Sequence, residues 1–108
     1  MTTFRILTLL ALCASSAHAV DYTGARVTGI GVVAGEEGIR FTIDKDPNVI
    51  LRTHLYTGDQ LKRLVTLVTM AYAAQSQVHF LRSSEASSSG ARHYTDVVIF
   101  SVGSSVFD

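Results

Sequence analysis

The sequence has very little cysteine, and this limits how the protein is stabilised. Cys13 is the only cysteine among 108 residues, and it lies in a segment that we predict is removed on export. The residue before it, Leu12, is larger than lipoprotein processing accepts at that place, so acylation of Cys13 is not expected. The mature chain is predicted to have no disulfide, so packing alone must stabilise an exported domain.

Long apolar runs are also missing. The run over residues 6–14 is about half the roughly 18 residues that a membrane-spanning helix requires. It follows Arg5 and precedes Ala17-His18-Ala19, a small-x-small cleavage site, and this arrangement is typical of a secretory signal peptide. We predict a signal peptide over residues 1–19, one domain over residues 20–108, and a secreted or periplasmic protein with no membrane span.

An excess of charge of one sign is absent. Without Arg5 the chain keeps eight basic residues against nine acidic ones, and the two signs alternate along the sequence. Proteins that bind nucleic acids usually present a basic face to the phosphates. We therefore expect no nucleic acid partner.

Motifs for catalysis and for metal binding are missing as well. No serine lies in a G-x-S-x-G segment. The histidines His54, His79 and His93 fall on separate predicted elements, without the paired spacing of zinc ligands. We predict that the protein is not an enzyme and that it has no cofactor and no metal site.

What is present is a series of short segments with the composition of β-strands. Residues 26–34 are rich in β-branched side chains, and residues 39–44 alternate apolar with polar ones. A glycine-bounded turn at residues 35–38 separates them, so the pair is predicted to form a hairpin. Three further strands are predicted over residues 49–55, 78–82 and 94–103.

One long helix is predicted between the third and fourth strands. Thr57 and Gln60 have the spacing of a capping box, and Asp59 lies in the first turn, where a carboxylate favours the helix dipole. Apolar side chains then recur with helical periodicity and are expected to face the sheet. They are Leu61, Leu64, Val65, Val68 and Tyr72.

The apolar part of this helix is wider than one sheet requires. A stripe of about 100° covers a sheet, so the surplus indicates a second partner, although loops of the same chain are the alternative. The residues in the surplus are predicted to form an oligomer interface. They are Leu67, Met70, Ala71 and Ala74.

The order strand, strand, strand, helix, strand, strand predicts a mainly β fold of the α+β class. It is the element order of a small five-stranded Greek-key barrel of the OB-fold type, with one long helix between strands three and four. An unrelated α+β sandwich with the same order is the alternative.

The sequence also resembles a known family. Its signal peptide, short mature chain, OB-like order and helix passing directly into a strand, AYAAQSQVHFL, resemble the B subunits of pentameric bacterial toxins of the subtilase-cytotoxin and pertussis-like group. The resemblance covers most of the mature chain. It implies a homo-oligomer, and in that family the oligomer is a pentamer whose helices line a central channel. It also implies glycan ligands and a catalytic A subunit as a further partner. Those B subunits commonly carry a disulfide, which this mature chain cannot form.

A polar loop offers the predicted ligand-binding residues. The serine-rich residues 83–93 lie between strands four and five, where OB-folds commonly bind ligands. Hydroxyl, guanidinium, imidazole and phenol groups combine hydrogen bonding with stacking, which suits a sugar. The candidates are Ser87, Ser88, Ser89, Arg92, His93 and Tyr94. A solvated loop without a ligand is the alternative.

Two functions follow from these observations. The first is a secreted or periplasmic, non-catalytic binding module that forms a ring and binds glycans, as a toxin B subunit does. The alternative is a small periplasmic structural or stress-related domain that acts through protein contacts.

Overall fold

The computed structural model describes residues 19–83, 87–89 and 92–107. In this part of the chain, strands predominate and there is one helix, which confirms the mainly β class. The helix lies between the fourth and fifth strands, not between the third and fourth as predicted, because β1 adds a strand before it. The elements are β1 (Ala19–Ala25), β2 (Val27–Gly31), β3 (Arg40–Ile43), β4 (Val49–Arg52), α1 (Gly58–Ala74), β5 (Val78–Ser83), β6 (Ser87–Ser89) and β7 (Arg92–Val102).

All the strands belong to one sheet. Six of them lie side by side in the order β1, β5, β7, β4, β3, β2, and β6 pairs with β7 outside this path. The pair β4 and β7 is parallel, and the other pairs are antiparallel. Only Arg26 separates β1 from β2 in the chain. The two ends of the sheet are therefore consecutive in sequence and meet at this residue.

The strand count differs from the five strands that the sequence predicts. β1 was missed because its core-facing side chains, Tyr22 and Ala25, are three residues apart instead of two. The pairing register with β5 shifts between these two residues. A strand with such a shift lacks the alternation that marks a half-buried strand. β6 was missed because three serines have the composition of a loop, whereas its backbone pairs with residues 92–94 of β7.

Two predicted strands are also shorter than expected. β2 ends at Gly31, and the exposed Val32 follows it outside the strand. β4 ends at Arg52, so Leu55 lies in the connection to α1 and is exposed. Both strands were predicted too long because the residues after them are also β-branched or apolar, although backbone pairing stops before these residues.

Four aromatic rings form the centre of the core. The ring of Phe80 lies 5.0 Å from that of Tyr22, 5.6 Å from that of Phe100 and 5.9 Å from that of Phe41, measured between centroids. Each such pair contributes about 0.5–1.5 kcal/mol beyond the burial of its surface. These rings come from β1, β3, β5 and β7, so the cluster connects distant parts of the sheet.

The helix packs on the sheet through residues spaced three and four apart. Its buried side chains are Leu61, Leu64, Val68 and Ala71. Ala71, predicted to lie in an oligomer interface, has no exposed surface, whereas Tyr72, predicted to face the sheet, is 43% exposed. The small Ala71 lets the last turn approach the core closely, and this rotates Tyr72 towards solvent. Ala71 is therefore not available to an interface.

The two ends of the helix are fixed differently from the prediction. Thr57 makes no side-chain capping hydrogen bond, so the expected capping box with Gln60 is not formed. At the other end, Gln75 adopts a left-handed conformation with φ of 52°. Its side-chain amide donates hydrogen bonds to the carbonyl oxygens of Tyr72, at 2.9 Å, and Val27, at 3.2 Å. These bonds attach the helix end to β2.

The bend between β1 and β2 is fixed at Arg26. Its backbone N–H donates to Asp44 Oδ1 at 2.9 Å, and the Asp44 N–H donates to the Arg26 carbonyl at 3.0 Å. The Arg26 side chain donates to the carbonyl oxygen of Gln75 at 3.0 Å. This corner thus joins the two ends of the sheet, the end of β3 and the end of α1.

Within the described residues, no helix is both long enough and apolar enough to cross a membrane.

Candidate functional site

Three neighbouring strands direct polar side chains away from the core on one face. Phe41, Leu51 and Thr95 are buried in β3, β4 and β7, so the residues that alternate with them face outward. We call this surface the outer face. It is formed by Arg40, Thr42, Ile50, Arg52, Tyr94 and Asp96.

A chain of charged groups crosses the outer face. Glu36 accepts two hydrogen bonds from Arg40, from Nε at 3.1 Å and from Nη2 at 2.6 Å. Arg52 Nε donates to Asp96 Oδ1 at 3.1 Å. His54 lies between the two pairs, with Nε2 3.4 Å from Glu36 Oε1 and Nδ1 4.0 Å from Asp96 Oδ1. The five side chains therefore hold one another in fixed positions.

The turn that carries Glu36 is fixed by tight packing next to it. Thr53 Oγ1 accepts a hydrogen bond from the Ile39 N–H at 3.1 Å and donates one to the Ile39 carbonyl at 3.3 Å. A Cβ at Gly38 would overlap Thr53 Oγ1. Only glycine allows the chain to pass here, and this passage places Glu36 beside Arg40 and His54.

These contacts also set the ionisation of the network. The hydrogen bond from Arg40 lowers the pKa of the Glu36 carboxyl below its usual value, and this outweighs desolvation, which raises it. A hydrogen bond from His54 lowers the pKa further by a smaller amount. The hydrogen bond to Glu36 raises the pKa of Arg40. Both groups are therefore charged at neutral pH, and Arg40 stays above its neighbour Tyr94.

A hollow of about 290 Å³ opens beside this network. Ile50 and the ring of Tyr94 line it, and the Arg40 guanidinium carbon lies 5.1 Å from the centre of the Tyr94 ring. Two glycines of β2, Gly29 and Gly31, line the opposite side. A Cβ at Gly31 would point into open space, so the missing side chain widens the hollow.

Two residues predicted from the sequence lie at this hollow. Arg92 and Tyr94 both line it. Arg92 is exposed, and no carboxylate of the described residues forms an ion pair with it. His93 is exposed but does not line the hollow.

The three predicted serines are described only by their backbone. Ser87, Ser88 and Ser89 form β6, opposite Tyr94, His93 and Arg92 in that order. The predicted loop is therefore partly a strand, and it lies next to the hollow.

Sequence reasoning missed the residues from the neighbouring strands. Arg40, Thr42 and Ile50 line the hollow together with Arg92 and Tyr94. The alternation of residues 39–44 places Arg40 and Thr42 opposite Phe41 and Ile43, which was the available signal. It indicates an outward position, but the pairing of β3 and β4 with β7 is needed to bring them to Tyr94.

A second cavity lies between α1 and β7. This groove has a volume of about 490 Å³ and is lined by Leu55, Tyr56, Gln60, Arg63, Leu64, Leu67, Val98 and Phe100. The Tyr56 hydroxyl donates a hydrogen bond to the Val98 carbonyl, and burial raises the pKa of Tyr56. Of the predicted interface residues, Leu67 lines the groove, while Met70 and Ala74 are exposed elsewhere on the helix.

Among the described residues, no group of three His, Cys, Asp or Glu side chains is arranged to hold a metal ion.

Comparison with known proteins adds no family. No protein-family model matches the chain, and no curated protein matches it significantly. The resemblance to toxin B subunits stays a prediction, and the chemistry of the outer face carries the functional argument.

Proposed function

We propose that the protein is an exported, non-catalytic binding module of the OB type that binds glycans in the hollow of its outer face. If β1 and β2 are counted as the two halves of one bent strand, the path has five strands, with the helix between the third and the fourth. OB-folds bind ligands on the face of strands two and three and with the loops between strands one and two and between strands four and five. In this chain those regions are β3 with β4, the turn of Glu36, and the segment that leads into β7.

The observation that carries this proposal is the combination of Tyr94 with fixed polar groups around it. Sugar rings have apolar C–H faces, which pack on aromatic rings, and hydroxyl groups, which need several hydrogen-bond partners. Tyr94 and Ile50 supply the apolar surface, while Arg40 and Arg92 supply planar donors. Because Glu36 holds Arg40, this donor is preorganised, which lowers the entropic cost of binding.

The dimensions of the hollow indicate a small ligand unit. Pockets for drug-sized ligands measure about 300–1,000 Å³, and the hollow, at about 290 Å³, is at the lower limit. One sugar residue fits a site of this size, and the rest of the glycan would extend into solvent. We expect a monovalent Kd of about 1 mM, which corresponds to a binding free energy of about −4 kcal/mol.

Replacing Tyr94 tests the proposal. The wild-type exported chain, residues 20–108, is expected to bind a subset of a glycan array, and Tyr94→Ala is expected to weaken binding of the best glycan about tenfold or more, or ~1.4 kcal/mol. Tyr94→Phe keeps the ring and should retain most of the affinity. Titration followed by NMR or calorimetry measures these changes.

A matched control is available on the helix. Tyr72 is also partly exposed but lies outside the hollow, so Tyr72→Ala should leave glycan affinity unchanged. An NMR titration that shows no binding of any tested glycan at millimolar concentration, or equal binding by the wild type and Tyr94→Ala, would refute the proposal. Recovery of a protein partner by crosslinking in the cell envelope would then favour the alternative, a domain that acts through protein contacts.

A further inference from the structure

The groove between α1 and β7 has exposed apolar walls. Leu55 is 59% exposed, Val98 38% and Leu67 36%. The groove shares no lining residue with the hollow of the outer face. Surfaces of this kind commonly mark interaction sites when polar residues surround them.

One end of this groove is basic. Arg63 and Leu67 line both the groove and an adjoining cavity of about 460 Å³, whose other lining residues are Lys62 and Thr66. The apolar walls therefore continue into a surface with two cations. The occupant that fits is an apolar segment followed by an acidic group.

Such a segment follows β7 in the same sequence. Val106 is 76% exposed and Phe107 43% exposed, and the next residue, Asp108, which lies outside the described residues, is acidic. The start of this segment is bonded to the domain, because the Gly103 N–H donates to the Gln77 carbonyl at 2.7 Å and the Ser104 carbonyl accepts from Ser101 Oγ at 2.8 Å. Beyond it, the Phe107 N–H donates a long hydrogen bond, 3.4 Å, to Ser105 Oγ within the segment itself. Residues 105–107 therefore present large apolar side chains beyond the last of these attachments.

The segment does not occupy the groove of its own molecule. Phe107 lines a different cavity, together with His79, Leu81 and Ile99, and this cavity shares no lining residue with the groove. The groove is thus left open to the same segment of a second molecule.

We propose that the groove binds residues 105–107 of a second copy of this chain, with Phe107 between Leu55, Leu67 and Val98. The basic end, Lys62 and Arg63, then faces the acidic end of the inserted segment. Because the two surfaces differ, the contact is heterologous, and repetition produces a ring or a filament. The assembly is independent of the glycan site, because no residue is shared.

Sedimentation of the exported chain over a range of about 10 μM to about 1 mM tests this contact. The wild type is expected to associate as concentration rises. Phe107→Ser in the segment and Leu67→Lys in the groove are each expected to weaken association at least about tenfold. Val32→Ser, at an exposed apolar position outside both surfaces, and Met70→Lys are the controls, and both should associate as the wild type does.

Two double experiments separate this contact from others. A mixture of Phe107→Ser and Leu67→Lys should form a one-to-one complex and no larger species, because each variant keeps one functional surface. Arg63→Glu should weaken association, and the added change Asp108→Arg should restore it.

Three outcomes would overturn the inference. They are a wild type that stays monomeric over the range, dissociation by Met70→Lys instead of Phe107→Ser, and a mixture of the two variants that stays monomeric. Glycan affinity measured on the monomeric variants tests the proposed function separately, since they retain Tyr94 and its neighbours. A wild type that binds glycans but stays monomeric refutes only the inference, and a wild type that assembles but binds no glycan refutes only the glycan site.

Discussion

The side chain of Glu36 connects its turn to two strands. It pairs with Arg40 of β3 and with His54, which follows β4, and His54 also faces Asp96 of β7. Ion pairs near the surface contribute little to stability individually, and a network with two-point geometry is the exception. The main effect of this network is to keep Arg40 above Tyr94.

The lowered pKa of Glu36 makes stability depend on pH in the acidic range. Because the folded-state pKa lies below the ordinary value of 4.5, the ion pairs stabilise the fold above that value, and the stabilisation is lost as pH falls through the folded-state pKa. Glu36→Gln should reduce this acid-dependent loss, as measured by urea unfolding at a series of pH values. The control is Glu37→Gln, at an exposed neighbour, which should follow the wild type. If Glu36→Gln lost as much stability at acidic pH as the wild type does, Glu36 would not be the source of this pH dependence.

The residues of the site were predictable only in part. Arg92 and Tyr94 were found because polar and aromatic groups follow a serine-rich segment near a predicted ligand-binding loop. Arg40 was not found, because Arg40 and Tyr94 are far apart in the sequence, and nothing in the sequence states which strand lies beside β7. The parallel pairing of β4 with β7 brings Arg40 to Tyr94.

The helix is the element that the sequence describes best. Its periodic apolar residues predict its position, and the observed range is Gly58–Ala74. The face was predicted less accurately, because apolar residues cover so much of the helix that several rotations bury a similar area. Packing selected the rotation that buries Ala71 and exposes Tyr72. β1 and β6 are the opposite case, since backbone pairing creates strands that composition does not indicate.

Ala71 and Ala74, two of the three alanines in the last helical turn, test this rotation. Ala71→Leu adds volume to a packed core and should lower the free energy of unfolding by about 1–3 kcal/mol. Ala74→Leu, at an exposed position, is the matched change and should have an effect within about 0.5 kcal/mol. Denaturant unfolding measures both. Equal effects of the two substitutions would show that the last turn does not pack as described.

At the scale of the whole molecule, the corner at Arg26 determines how the sheet is joined. The first and last strands of the path are consecutive in sequence there, and Asp44 and Gln75 bind the same residue from β3 and from the helix end. Loosening of this corner would affect the sheet and the helix together, so we expect them to unfold in one transition.

Asp44→Ala should weaken the corner. It removes the acceptor of the Arg26 N–H, so the free energy of unfolding should fall by about 1 kcal/mol. The denaturant m-value should not change if the same surface is exposed on unfolding. Asp44→Asn keeps an oxygen at that position, so its free energy of unfolding should fall by less. Separate transitions for the helix and the sheet, seen by circular dichroism and by tyrosine fluorescence, would contradict a shared corner.

The strand that unites the sheet is also the last of the described strands in chain order. β7 lies between β5 on one side and β4 on the other, so before it is made the chain has only a pair of strands, β1 with β5, and a separate set of three, β2 with β3 and β4. A pair of strands alone is marginally stable in water. The ribosome must therefore make the chain as far as β7, which ends at Val102, before the native sheet can form. For a protein with a predicted export signal this delay is useful, because translocation can begin before the complete sheet exists.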